Sequence, residues 1–212
     1  MTKDRITVCV AIDSVPGGDK TVRYAKADQR VVVQSCRNEL AQKAPGYRKA
    51  NTSVTHSRGW VAVAALCEDG AGPDVPKIGV DIEYADPDRN WAGIIDTLAR
   101  AKCLRPSPDK AALIWTCHEA AFKANGAFLP GAQIEDISRA LMLSQINHWH
   151  VSRFGALSLF SAPLSVDRRF ALTVALAGAG MGVDVEIQCF FGPFAAGEGA
   201  ATAARVVRNS IQ

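Results

Sequence analysis

The sequence predicts an α+β protein made of two similar α/β halves. Three observations carry that expectation. Short apolar strands alternate with amphipathic helices, the clearest helix is bounded by capping residues at both ends, and one strand–turn–strand pattern occurs twice. The repeat sets Trp60-Val-Ala-Val-Ala-Ala-Leu and then Gly79-Val-Asp-Ile-Glu against Phe170-Ala-Leu-Thr-Val-Ala-Leu and then Gly182-Val-Asp-Val-Glu. Two halves related by pseudo-twofold symmetry would produce this echo; so would chance recurrence of a short apolar strand.

Taken in order, Ile6 to Ile12 alternates like a first strand, and Val15-Pro16-Gly17-Gly18-Asp19 ends it with turn residues. The spacing of Val32, Val33, Cys36 and Leu40 predicts a helix from about Lys26 to Lys43, closed by Pro45-Gly46. Trp60 to Leu66 reads as a buried strand, Glu68 to Pro76 as a turn, and Ile78 to Ile82 as the next strand. The long helix follows between Ser107 and Asn125. Ser107 sits at the N-cap position, Pro108 at the first helical position, and Gly126 is the C-terminal stop. Beyond a loop around Pro130-Gly131, strands are expected near His148–Arg153, Leu157–Phe160 and Phe170–Leu176. The Gly- and Ala-rich tail from Gly192 is expected to order poorly, with a short helix over Ala200 to Val207 as its one candidate element. The expected division is an N-terminal half over 1–76, a C-terminal half over 77–191 and a tail over 192–212.

Composition narrows the function classes. Hydrophobic residues at 48% and charged residues at 21% fit a globular protein and argue against disorder. A net charge of +3 with no dense Lys/Arg cluster is not a nucleic-acid footprint, although it suits an anionic ligand or an acidic partner. The six cysteines include no Cys-x-x-Cys pair, which reads as reduced thiols in a cytoplasmic protein. The N-terminal apolar run is broken at Asp13, too early for a signal peptide, and no run approaches the ~20 residues needed to span a bilayer. No membrane association is expected.

Three clusters carry chemistry. Asp81 and Glu83 lie two apart in a strand, so both carboxylates project from one face while Val80 and Ile82 point to the other. Such a pair repels itself unless solvated or bridged by a cation, and hard oxygen ligands suit Mg²⁺ or Mn²⁺. Taken alone, it also fits an exposed strand edge. On the long helix, Trp115, Glu119 and Lys123 recur every four residues, with His118 and Phe122 beside them. Glu119 and Lys123 suffice for a simple helical ion pair, yet an acid and a base on an Ala-rich stripe also meet the needs of a metal–pyrophosphate site. The third cluster is Thr55-His56-Ser57-Arg58 before a strand, read either as a phosphate contact or as ordinary turn chemistry.

The order Thr55-His56-Ser57, then Gly79-Val80-Asp81-Ile82-Glu83, then Trp115-Thr116-x-x-Glu119-Ala120-x-x-Lys123-Ala124-x-Gly126 resembles the three motifs of 4′-phosphopantetheinyl transferases. The match is to the surfactin-synthetase-activating type, whose single chain contains two similar halves, and it covers roughly residues 20 to 180. The resemblance implies the 4′-phosphopantetheinyl transferase fold and an enzyme of the holo-acyl-carrier-protein synthase kind. It implies transfer of phosphopantetheine from coenzyme A to a serine of an apo acyl or peptidyl carrier protein, releasing 3′,5′-ADP. Asp81, Glu83 and Glu119 would hold Mg²⁺; His56, Thr55 and Ser57 would contact coenzyme A; Lys123 would sit near the transferred phosphate; Glu119 would accept the serine proton. The family's acceptors belong to fatty-acid, polyketide or nonribosomal peptide synthesis, and its two-half members act as monomers.

Two departures stand out. His118 occupies the place where the family usually has lysine, which implies a weaker or more pH-dependent grip on phosphate. The basic residues for the 3′-phosphate do not align securely: Lys20, Arg23, Arg30, Arg48 and Lys49 all qualify, and Gly46-Tyr47-Arg48-Lys49 lacks the proline of the usual Gly-Lys-Pro element. Two rival readings follow, a catalytically weakened binder of coenzyme A or carrier, and another Mg²⁺-dependent enzyme that cleaves pyrophosphate. Three decoys are set aside. Gly178-Ala-Gly180-Met-Gly182 precedes a strand, as a hairpin turn would, where a dinucleotide fingerprint needs a helix. Asp184 and Glu186 are followed by no Trp-x-x-x-Glu helix, and His148 with His150 lacks a third ligand for zinc.

Overall fold

A computed structural model describes residues 5–15, 26–44, 46–67, 75–100, 104–144, 149–164, 167–179, 183–192 and 205–210, with the side chains of 26–27, 48–50 and 205–210 outside that description. The chain runs β1 (Arg5–Ser14), α1 (Lys26–Lys43), β2 (Tyr47–Ser57), β3 (Trp60–Cys67), β4 (Lys77–Tyr84), α2 (Trp91–Leu98), α3 (Pro108–Asn125), α4 (Gly131–Leu143), β5 (His150–Phe154), β6 (Leu157–Pro163), β7 (Phe170–Ala177), β8 (Asp184–Phe191) and β9 (Arg205–Ser210). These elements make an α+β protein with two sheets. The chain divides into two compact units, Met1–Ile78 with Gly178–Gln212, and Gly79–Ala177.

In the first unit the sheet order is β2-β3-β1-β8-β9. β1 is central, antiparallel to β3 and parallel to β8, and it is buried along nearly its whole length. One sheet face is covered by α1, whose Val32, Cys36 and Leu40 recur at helical spacing and meet Cys9, Ala11, Val61, Val63 and Ala65. Fully burying a side chain such as Leu40 contributes about 1.5–3 kcal/mol. α1 occupies the span its apolar spacing predicts. β2 and β3 form a hairpin in which Ser57 pairs with Trp60 across Arg58 and Gly59, whose φ values of 48° and 78° suit a two-residue turn with both central residues left-handed.

The second unit has sheet order β4-β7-β6-β5, with α3 against the sheet. Ala111, Ala112, Ala120, Ala121 and Ala124 are all buried, and their small side chains let the helix lie close to its neighbours. Gly79 is the tightest point: a Cβ there would stand 2.1 Å from the Ala120 carbonyl oxygen and 2.7 Å from the Ala124 nitrogen. Only glycine admits so close an approach of helix and strand backbones. The caps of α3 are as expected at Gly126, which is left-handed at φ 74°, and at Ser107, which is extended but makes no side-chain capping bond.

Several expectations are corrected. The second half was expected to run to residue 191, but β8 returns to pair with β1, so its compact unit ends at Ala177. For the same reason the link after β7 is not a hairpin: β8 lies between β1 and β9 in the other sheet. The tail's expected helix reaches Val207, yet β9 is a strand pairing antiparallel with β8. Residues 193–204, like the expected turns at 16–19 and 68–74, lie outside the described residues. α2, α4 and β2 had no counterpart in the sequence reading. Among the described residues no helix is long and apolar enough to cross a membrane.

Candidate functional site

β4 is an edge strand of its sheet, yet its acids are not simply solvated. Asp81 is buried at 6% exposure, and Glu83 is half-buried two residues on. Each carboxylate meets a cation from a different element. Lys123 on α3 places its Nζ 2.7 Å from Asp81 Oδ1 and donates also to the Val80 carbonyl at 3.0 Å. Arg89, in the loop between β4 and α2, places Nη1 3.2 Å from Glu83 Oε2. A buried carboxylate is expensive without such partners, so these pairs account for how β4 carries two acids on one face.

α3 brings the second motif to the first. The contact at Gly79 sets the Ala120–Ala124 turn against β4, which is why Lys123 reaches Val80 and Asp81. Lys123 therefore bridges to the strand, and the alternative i,i+4 pair with Glu119 is not formed. Glu119 is half-buried one turn earlier on the same face, with no hydrogen bond or ion pair to its carboxylate among the described residues. Asp81 with Lys123 and Glu83 with Arg89 thus form two ion pairs on β4, and Glu119 lies one helical turn before Lys123. Among the described residues, no three His, Cys, Asp or Glu side chains group closely enough to hold a metal ion.

His118 is not an open phosphate ligand. It is buried at 7% exposure, and its ring stacks on Phe128 at 4.5 Å and lies tilted to Trp115 at 6.2 Å. Phe128 in turn stacks on Phe122 at 4.2 Å. The His118 Nδ1 is buried with no hydrogen-bond partner among the described residues. Burial pushes its pKa below the ordinary histidine value, so the neutral imidazole is favoured.

The first unit distributes its candidates along β2. Because a strand alternates, Thr55 and Ser57 face one way and are buried, while His56 faces the other and is exposed. The trio read from sequence as one cluster is therefore two surfaces, with only His56 freely presented. Arg30 is exposed on α1; the side chains of Arg48 and Lys49 lie outside the described residues, as do Lys20 and Arg23. Of the decoys, Glu186 is buried and paired with Arg5, and His148 lies outside the described residues.

Arg89 is the site residue the sequence reading missed. Its guanidinium lies 4.4 Å over the Trp91 ring and 5.3 Å from that of Trp115. Signals for its ordering were present in Asp86-Pro87-Asp88 as turn residues and Asn90 as the N-cap of a helix beginning at Trp91. No protein-family model matches this chain, and comparison with curated proteins finds no match.

Proposed function

We propose that this chain is a Mg²⁺-dependent phosphopantetheinyl transferase of the two-half kind, with an apo carrier protein as acceptor. The observation that carries the reading is the 2.7 Å contact of Lys123 with Asp81, which joins the two separate motifs of the sequence into one charged site. The α+β arrangement supports it too: the first unit opens on β1 and sets its hairpin strand β3 beside it, and the second opens on β4 and sets β7 beside it.

Although no three acids group closely enough among the described residues to hold a metal ion, the reading draws on the type of donor, since carboxylate oxygen suits a hard divalent cation. Asp81, Glu83 and Glu119 supply only carboxylate oxygens, as Mg²⁺ prefers, and Glu119 is not engaged elsewhere. When bound, the cation would neutralise charge on the pyrophosphate oxygens. Lys123, released from or shared with Asp81, balances the charge that grows on the transferred phosphoryl group. Glu119 takes the proton of the carrier serine, directly or through a water. The serine Oγ then forms its bond to the β-phosphorus of coenzyme A as the bond to the 3′,5′-ADP oxygen breaks. The buried His118, stacked on Phe128, is given no part in phosphate contact.

Intact-protein mass of an apo carrier incubated with the chain, coenzyme A and Mg²⁺ tests this reading. A mass gain of one phosphopantetheine unit supports transfer. Coenzyme A binding without modification points to a weakened binder, and coenzyme A cleavage without acceptor points to a pyrophosphate-cleaving enzyme; either overturns the proposal.

A further inference from the structure

Two thiols of the first unit sit side by side on one sheet face. Across the antiparallel β1–β3 pair, Cys9 lies directly opposite Ala65, and Cys67 lies opposite Thr7. Residues two apart in a strand share a face, so Cys9 and Cys67 are diagonal neighbours on the face that α1 covers. The Cys67 Sγ leans back along β3 to 3.9 Å from the Ala65 carbonyl oxygen, which carries it toward Cys9. The Cys9 thiol donates a hydrogen bond to it, and both cysteines are free.

The two thiols are not equivalent. Cys9 is fully buried, whereas Cys67, the last residue of β3, is partly exposed. The other free cysteines among the described residues, Cys36, Cys117 and Cys189, are buried. The hydrogen bond from Cys9 holds the Cys67 thiol below its ordinary pKa, against the opposing effect of burial, while the same contact and burial together push Cys9 up. Burial pushes Cys36 up to about 12 and Cys117 up to about 11. Thiolate character and solvent access, which together set cysteine reactivity, therefore coincide at Cys67. Cys189 on β8 aligns with Val10 and faces the other side of the sheet, so among the described residues Cys9 is the thiol that Cys67 meets.

We propose that Cys67 is an oxidation site that reacts with hydroperoxides, and that Cys9 resolves the product into a reversible Cys9–Cys67 disulfide. Neither thiol belongs to the proposed transferase site. The Cys67 thiolate attacks a peroxide oxygen: the S–O bond forms as the O–O bond breaks, and the departing oxygen leaves as an alcohol, or as water from hydrogen peroxide. The resulting sulfenic acid has lost the negative charge that held the Cys9 proton in place. The Cys9 sulfur then attacks the Cys67 sulfur. The S–S bond forms, the S–O bond breaks, and the hydroxide takes the Cys9 proton to leave as water. In sum, two thiols lose two electrons and two protons to one peroxide. Diagonal cross-strand spacing is wider than a relaxed disulfide prefers, so closure shifts the end of β3 and leaves a bond that thiols reduce readily.

Peptide mapping of the full chain tests this. The protein is treated with equimolar hydrogen peroxide, remaining thiols are blocked with N-ethylmaleimide, and tryptic peptides are weighed without reduction. The expected product joins Ile6–Lys20 to Gly59–Lys77 and separates on adding dithiothreitol. Cys67→Ser should leave Cys9 reduced under the same peroxide, and Cys9→Ala should leave Cys67 as a sulfenic acid that dimedone traps. Before oxidation, iodoacetamide at neutral pH should label Cys67 at least about tenfold faster than Cys9 or Cys36. A Cys67 that stays reduced under peroxide, that pairs with another cysteine or another chain, or that oxidises in wild type without the Cys9 link overturns the proposal. So does oxidation of Cys9 in Cys67→Ser. Should Cys9→Ala fail to fold, the wild-type map and Cys67→Ser decide the matter alone.

Discussion

Gly79→Ala isolates the contact on which the site depends. The added methyl would stand 2.1 Å from one α3 backbone atom and 2.7 Å from another, and neither can rotate away as a side chain would. To restore even the 3.4 Å of ordinary contact, α3 must recede from β4 by more than an ångström. Gly79 is not among the residues of positive φ, so the cost is one of space alone. Overpacking of this kind costs about 1–3 kcal/mol, and for a chain of this size each kcal/mol lowers Tm by about 2–4 °C. A fall of roughly 2–12 °C is therefore expected in thermal unfolding followed by circular dichroism. Divalent-metal affinity should fall further than stability alone explains. The same recession pulls Lys123 from its 2.7 Å contact with Asp81 and carries Glu119 away from the β4 acids. A variant that melts within about a degree of wild type and keeps its metal affinity would refute this packing of α3 on β4.

Two further outcomes follow from buried groups. Thr116 donates to the Leu113 carbonyl at 2.9 Å and so is left to accept from Thr173 at 2.7 Å, with both side chains fully buried. Thr173→Val removes that donor and should lower stability by about 1 kcal/mol in urea unfolding; an unchanged midpoint would contradict the hydrogen bond. His118, with its pKa lowered by burial, stays neutral in the fold while the unfolded chain takes up a proton near pH 6.5. Its contribution is complete above that pH and is lost as pH falls from there toward the lower folded value. His150 acts with the same sign, so His118→Phe should lose less stability between pH 7 and pH 5 than wild type in paired Tm profiles. Parallel profiles would contradict the assignment.

Where the sequence was legible, the reason is periodicity joined to punctuation. α1 shows a clear apolar stripe before Gly46, and α3 is framed by Ser107-Pro108 and Gly126, so both were read within a residue. α4 carries an equally good stripe in Ile134, Ile137 and Leu141, but Pro130-Gly131 at its start reads as a loop until the helix is seen to begin there. β2 was hidden because its buried positions are the polar Ser53, Thr55 and Ser57. β9 was hidden because a Gly- and Ala-rich approach masks a strand whose register only β8 supplies.

The site was legible in its acids and not in its pairing. The alternation of Asp81 and Glu83, and the fourfold spacing of Glu119 and Lys123, follow from local geometry. That Lys123 would choose Asp81 over Glu119 depends on the depth of α3 against Gly79, a tertiary fact. His118 illustrates the same limit. Its position in a motif suggested a phosphate contact, whereas Phe128, ten residues on, folds back to stack upon it.

Manganese binding by electron paramagnetic resonance tests the central claim most directly, since Mn²⁺ occupies oxygen sites suited to Mg²⁺. Wild-type chain with pyrophosphate should bind one Mn²⁺, and Glu119→Gln, which removes the one acid not engaged by a cation, should weaken that binding at least about tenfold with an unchanged Tm. Equal Mn²⁺ affinity in wild type and Glu119→Gln would contradict the three-carboxylate site on which the proposed transfer rests.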